Sequence, residues 1–130
     1  MTPRLVPVAI GATALALVLV GCVPNNPVTT TDGASTTLTV DSSANVCTVS
    51  ATEAPSGSVV FEVTNSGDEV TEFYLLADDG LRIVGEVEDV GPGVTRNLVV
   101  DLEPGSYFTA CKPGMVGAGV GKAPFTVTAS

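Results

Sequence analysis

Six clusters of turn-forming residues cut the chain after residue 36 into short runs. They are Asp41-Ser-Ser, Pro55-Ser-Gly57, Asn65-Ser-Gly67, Asp78-Asp-Gly80, Gly91-Pro-Gly93 and Glu103-Pro-Gly105. The runs between them are rich in Val, Thr, Ile and Leu, and none is long enough for an amphipathic helix. Strands are predicted near Thr36 to Val40, Cys47 to Ala51, Gly57 to Thr64, Val70 to Leu76, Leu81 to Glu88, Val94 to Asp101, Ser106 to Cys111 and Phe125 to Thr128. Val59, Phe61 and Val63 fall on one face of their strand and Val60, Glu62 and Thr64 on the other, the pattern of a sheet with one buried side. Turns recurring roughly every 8 to 12 residues predict an all-β fold of antiparallel strands, a Greek-key β-sandwich or barrel.

The two ends read differently. Met1 to Arg4 is a short positive segment and Val6 to Val20 is apolar apart from Pro7, Gly11 and Thr13, so residues 1–21 read as an export signal. Leu19-Val20-Gly21-Cys22 resembles a bacterial lipobox, in which Cys22 is acylated and becomes the mature N-terminus. Several acyl chains on one residue anchor stably where a single chain does not. The expectation is a cell-membrane lipoprotein held on the extracytoplasmic side through Cys22. Residues 22–36, rich in Pro, Asn, Thr and Gly, form the expected flexible tether, and 37–130 the folded domain.

Charge narrows the partners. Loss of Arg4 with the signal leaves four bases against 14 acids, a net charge of −10. Such a surface argues against nucleic acid and suits a body held off an anionic membrane.

The absence of His removes Ser-His-Asp catalysis, His-based zinc sites and type 1 copper of the two-His-one-Cys kind. Gly117-Ala-Gly119-Val-Gly121 leads into the strand-like Phe125 to Thr128 rather than a helix, so it reads as a flexible loop and not a phosphate cradle. No Cys-x-x-Cys pair suggests redox catalysis, and the expectation is a protein that is not an enzyme.

Of three cysteines the lipobox accounts for one, leaving Cys47 and Cys111 in a compartment where disulfides persist. Two readings stand open. In one the pair is a structural disulfide in a structural or protein-interaction module that binds no metal; in the other both thiols stay reduced beside Glu72 and bind a metal. Met115, in the loop after Cys111, is a candidate weak ligand in the second reading. Acidic clusters at Glu86, Glu88 and Asp89, and at Asp68 and Glu69, read as solvated surface. Glu72 differs because it lies inside a strand, on the face of Val70, Tyr74 and Leu76 and opposite Phe73 and Leu75. Burial of that face would demand a partner or a metal for its carboxylate.

Several segments together resemble one family. They are Cys47-Thr-Val-Ser-Ala-Thr-Glu-Ala-Pro-Ser-Gly57, Phe61-Glu-Val-Thr-Asn-Ser-Gly67, Val70-Thr-Glu-Phe-Tyr-Leu75, Leu81-Arg-Ile-Val-Gly-Glu-Val-Glu-Asp-Val-Gly-Pro-Gly93 and Tyr107-Phe-Thr-Ala-Cys-Lys-Pro-Gly-Met-Val-Gly117. In this order they resemble the cupredoxin-like domain of EfeO-type iron-uptake lipoproteins and periplasmic proteins. The resemblance implies a cupredoxin-like sandwich, work beside other iron-uptake components, and a site of Cys47, Glu72 and Cys111 for an iron or copper ion. Thr109 stands where some members carry Met. The family's helical second domain has no counterpart in this sequence, so the expectation is the cupredoxin-like module by itself.

Overall fold

Strand alternation sets the architecture. A computed structural model describes residues 34–130. The expected export signal, Cys22 and residues 22–33 of the expected tether lie outside the described residues. Nine strands follow in order: β1 (Thr36–Ser42), β2 (Cys47–Val49), β3 (Glu53–Pro55), β4 (Gly57–Asn65), β5 (Thr71–Leu76), β6 (Ile83–Val90), β7 (Thr95–Leu102), β8 (Gly105–Cys111) and β9 (Val120–Thr128). A 3-10 turn, Pro113–Met115, separates the last two.

The strands form two sheets, ordered β2-β1-β4-β7 and β3-β9-β8-β5-β6. The sequence predicts many antiparallel strands, and most pairings are antiparallel, but two are parallel. β1 runs parallel to β4 and β3 parallel to β9. The chain leaves β1 through the hairpin to β2, switches sheets into β3, and re-enters the first sheet as β4 beside β1. Such a crossover permits a parallel neighbour, which a direct hairpin between β1 and β4 could not give. β3 itself was not foreseen, since Pro55 and Gly57 read as a turn. Pro55 is tolerated because β3 is an edge strand.

Inward residues meet between the sheets. In β4, Val59, Phe61 and Val63 are fully buried, as the alternation predicts. Opposite them lie Phe73 and Leu75 of β5, Val87 and Val90 of β6, and Phe125 and Val127 of β9. The Phe61 ring lies 5.2 Å from that of Phe73 and 5.5 Å from that of Phe125, so one aromatic side chain of the first sheet packs against two of the second. The core face of β5 is thus the Phe73 and Leu75 face.

Asn65 closes β4. It is fully buried, yet its Nδ2 donates to the Glu69 and Val90 carbonyls and its Oδ1 accepts from the Gly67 amide. The sequence read Asn65-Ser-Gly67 as a turn. The turn is built by this side chain, which also ties it to β6. Among the described residues no buried side-chain polar atom lacks a hydrogen-bond partner.

Candidate functional site

The corner where β8 ends is assembled from both sheets. β8 lies between β9 and β5, and its last residue, Cys111, pairs with Phe73 of β5 and points into the core with no exposure. Cys47 opens β2 at the edge of the other sheet, where it pairs with Ser42 of β1. The two cysteines form a disulfide, with Cα atoms 5.5 Å apart and a sequence separation of 64. The bond therefore joins one sheet to the other at the level of the core.

Glu72 precedes Phe73, and adjacent strand residues point to opposite faces. Its backbone pairs with Lys112, whose amide donates to the Glu72 carbonyl at 2.8 Å. Its side chain lies on the outer face with Tyr74, whose hydroxyl donates to Glu72 Oε2. Glu72 is nevertheless only 7% exposed, and Tyr74 is the partner its burial demands. The sheet thus separates this carboxylate from the two sulfurs. Met115 ends the 3-10 turn and is 41% exposed. The donor set expected from the sequence, Cys47, Glu72, Cys111 and Met115, does not converge. The sulfurs are bonded to each other and the carboxylate lies on the far face. Among the described residues no group of three or more His, Cys, Asp or Glu could hold a metal ion. In its oxidised form the donor chemistry does not fit a resident iron or copper ion.

Tyr74 is the pairing partner of Glu86 across β5 and β6. Burial first, then the hydrogen bond to Glu72 and the charges of Glu72, Glu86 and Glu88, raise its phenol above the ordinary value of 10.0. The folded state holds a proton that the unfolded chain releases. The stability this contributes is complete below pH 10.0 and is lost as pH rises beyond it. An absorbance titration is expected to show a high-pH tyrosinate step that Tyr74→Phe removes and Glu72→Gln moves to lower pH. An unmoved step in Glu72→Gln would show that Glu72 does not hold the proton.

The stretch read as a flexible loop, Gly117 to Gly121, has a fitted role. β9 carries one extra residue where Thr109 pairs with Ala123 and Cys111 with Val120. Gly121 at this bulge has φ of 61°. A Cβ there would stand 2.6 Å from the Cys47 Cβ and 2.9 Å from the Cys47 carbonyl oxygen. A Cβ on Gly119 would stand 2.7 Å from the Cys111 carbonyl oxygen. These glycines pack against the two half-cystines as no other residue can. Gly121→Ala is expected to destabilise by at least about 1 kcal/mol, measured by urea unfolding. The sequence signal was present in the glycine spacing after Cys111, but glycine reports conformational freedom and close approach alike.

Two clefts flank the corner. One, of about 460 Å³, lies at the end of the sandwich between the β1–β2 loop, the Asn65–Glu69 turn and Pro113. The other, of about 200 Å³, lies along β2 and is lined by Cys47, Thr52, Thr109, Pro124 and others. Thr109 is 3% exposed on the inner face, two residues before Cys111.

No family model matches the chain. An iron uptake system component EfeO of Yersinia pestis is 34% identical over 83 residues, covering 64% of this chain and 21% of that protein. An iron uptake system component EfeO of Yersinia pseudotuberculosis serotype I is 34% identical over 65 residues, 50% of this chain and 17% of that protein. The chain spans about a fifth of the length of these curated relatives. Among solved structures, a reduced auracyanin from Roseiflexus castenholzii superposes with a TM-score of 0.53 at 19% identity, over 74% of this chain and 99% of that one. The likeness to an EfeO-type domain is met in the sequence relatives, and the cupredoxin-like β-sandwich in the structural neighbour.

Proposed function

We propose that this cupredoxin-like module is a lipid-anchored, extracytoplasmic and non-enzymatic accessory of an EfeO-type iron-uptake system, with iron as cargo. The observation that carries the reading is the 34% identity to EfeO proteins over 83 residues. The Cys47–Cys111 bond supports an oxidising compartment, and the Leu19-Val20-Gly21-Cys22 motif supports the anchor. The role is that of a folded, acidic surface presented to other uptake components. Metal binding at the thiols belongs to a reduced form, in which Cys47 and Cys111 would favour Cu(I) or zinc over iron.

Deleting the gene is expected to lower uptake of radioactive iron. Wild-type protein restores it and Cys22→Ala does not. Unchanged uptake after deletion would remove the iron-uptake role. Intact mass of the exported, delipidated protein, expected to be two hydrogens short of the free-thiol mass, decides the thiol chemistry. Should it carry free thiols and bind Cu(I), zinc or Fe(III) more tightly than Glu72→Ala does, the metal site of Cys47, Glu72 and Cys111 replaces the disulfide reading.

A further inference from the structure

The two sulfurs of the Cys47–Cys111 bond face different surroundings. Cys111 has no exposure, sits on a strand with neighbours on both sides and belongs to the core. Cys47 is only partly buried and begins a three-residue edge strand. The cleft of about 200 Å³ along β2 reaches Cys47 and not Cys111. On one side β2 is held by three register pairs to β1; among the described residues its other edge pairs with no strand.

We propose that Cys47 Sγ is a site of thiol–disulfide exchange, attacked by an extracytoplasmic dithiol protein of the Cys-x-x-Cys class. This goes beyond the iron-uptake reading and does not rest on it. Exchange requires a thiolate to reach one sulfur of the bond, and access selects which sulfur is attacked. The partner's thiolate bonds to Cys47 Sγ, the Cys47–Cys111 bond breaks, and the electron pair leaves on Cys111 Sγ. The partner's second thiol, as thiolate, then attacks the partner's own sulfur in the mixed disulfide. Cys47 leaves as thiolate, the partner is oxidised by two electrons, and the cysteine pair is reduced by two. The free edge of β2 suits a protein partner, because an extended segment can add its backbone beside Thr48 while its cysteine enters the cleft. Completion frees β2 from the opposite sheet.

The experiment uses the full exported chain and, as probe, a thioredoxin-type protein whose second active-site cysteine is serine, so that the mixed disulfide cannot resolve. Peptide mapping without reductant is expected to find the adduct on Cys47 over Cys111 by at least about tenfold, at a rate unchanged by low urea. An adduct on Cys111, an equal division, no adduct, or a rate that climbs with urea as global unfolding does would each overturn the proposal. Thr52→Tyr, at an exposed position lining the cleft, is expected to slow adduct formation several-fold with the melting temperature unchanged. A variant that melts normally and reacts at the wild-type rate would remove the cleft as the route.

Discussion

Replacing Cys47 and Cys111 together by alanine is expected to lower stability by about 4 kcal/mol, the chain-entropy value for a loop of this length. The loop between them spans 64 positions and includes most of β2 through β8. Without the bond the unfolded chain recovers the freedom that the cross-link denies it. Domains of this size have roughly 5–15 kcal/mol in hand, so the loss takes a large share of the total. It corresponds to a fall in melting temperature on the order of 20 °C. The native state loses as well, because Cys111 is fully buried and its sulfur fills space in the core. Calorimetry of the double variant beside wild type checks the value. A loss below about 1 kcal/mol would show that the bond does not restrain the unfolded chain as a loop of this length should.

Phe61→Ala carries the second large effect, about 4 kcal/mol. Phe61 has no exposure and is the ring through which the first sheet touches both Phe73 and Phe125. Removing it loses the transfer energy of a buried aromatic, leaves a cavity between two sheets that cannot close over it, and forfeits two ring contacts. Val99→Ala is the control. Val99 lies on the outward side of β7 at 62% exposure, and its truncation is expected to stay within about 0.5 kcal/mol. Urea unfolding of both variants, with the slope m unchanged, separates a core loss from a change in the unfolded state. Equal effects at the two positions would contradict the placement of the core.

How much of this was legible beforehand follows from what each signal measures. Alternation is local, so the inward set of Val59, Phe61 and Val63 could be read directly, and so could the opposition of Glu72 to Phe73. Which face of β5 meets the core is not local; it depends on β4 and β9 packing against Phe73 and Leu75. The same limit explains the candidate site. The sequence names Cys47, Glu72 and Cys111, but only the register that pairs Phe73 with Cys111 puts the sulfur and the Glu72 carboxylate on opposite faces. Tyr74 as the partner of Glu72 was within reach, two residues along the same face, once burial of that carboxylate was known. β3 escaped because Pro55 signals a turn more strongly than Glu53 and Ala54 signal a strand. The parallel pairing of β1 with β4 depends on a crossover through the second sheet, which no window of sequence contains.

That pairing also decides how the domain bears a load. β1 lies between β2 and β4, and all seven of its residues, from Thr36 to Ser42, stand in register with β4. A pull on Thr36 directed along the strand axis would shear the whole ladder at once instead of peeling it bond by bond. The far end of β1, Ser42, is paired with Cys47, whose sulfur is fixed to the opposite sheet. Tension entering at Thr36 is therefore shared with both sheets, and opening the disulfide would make the same strand easier to draw out.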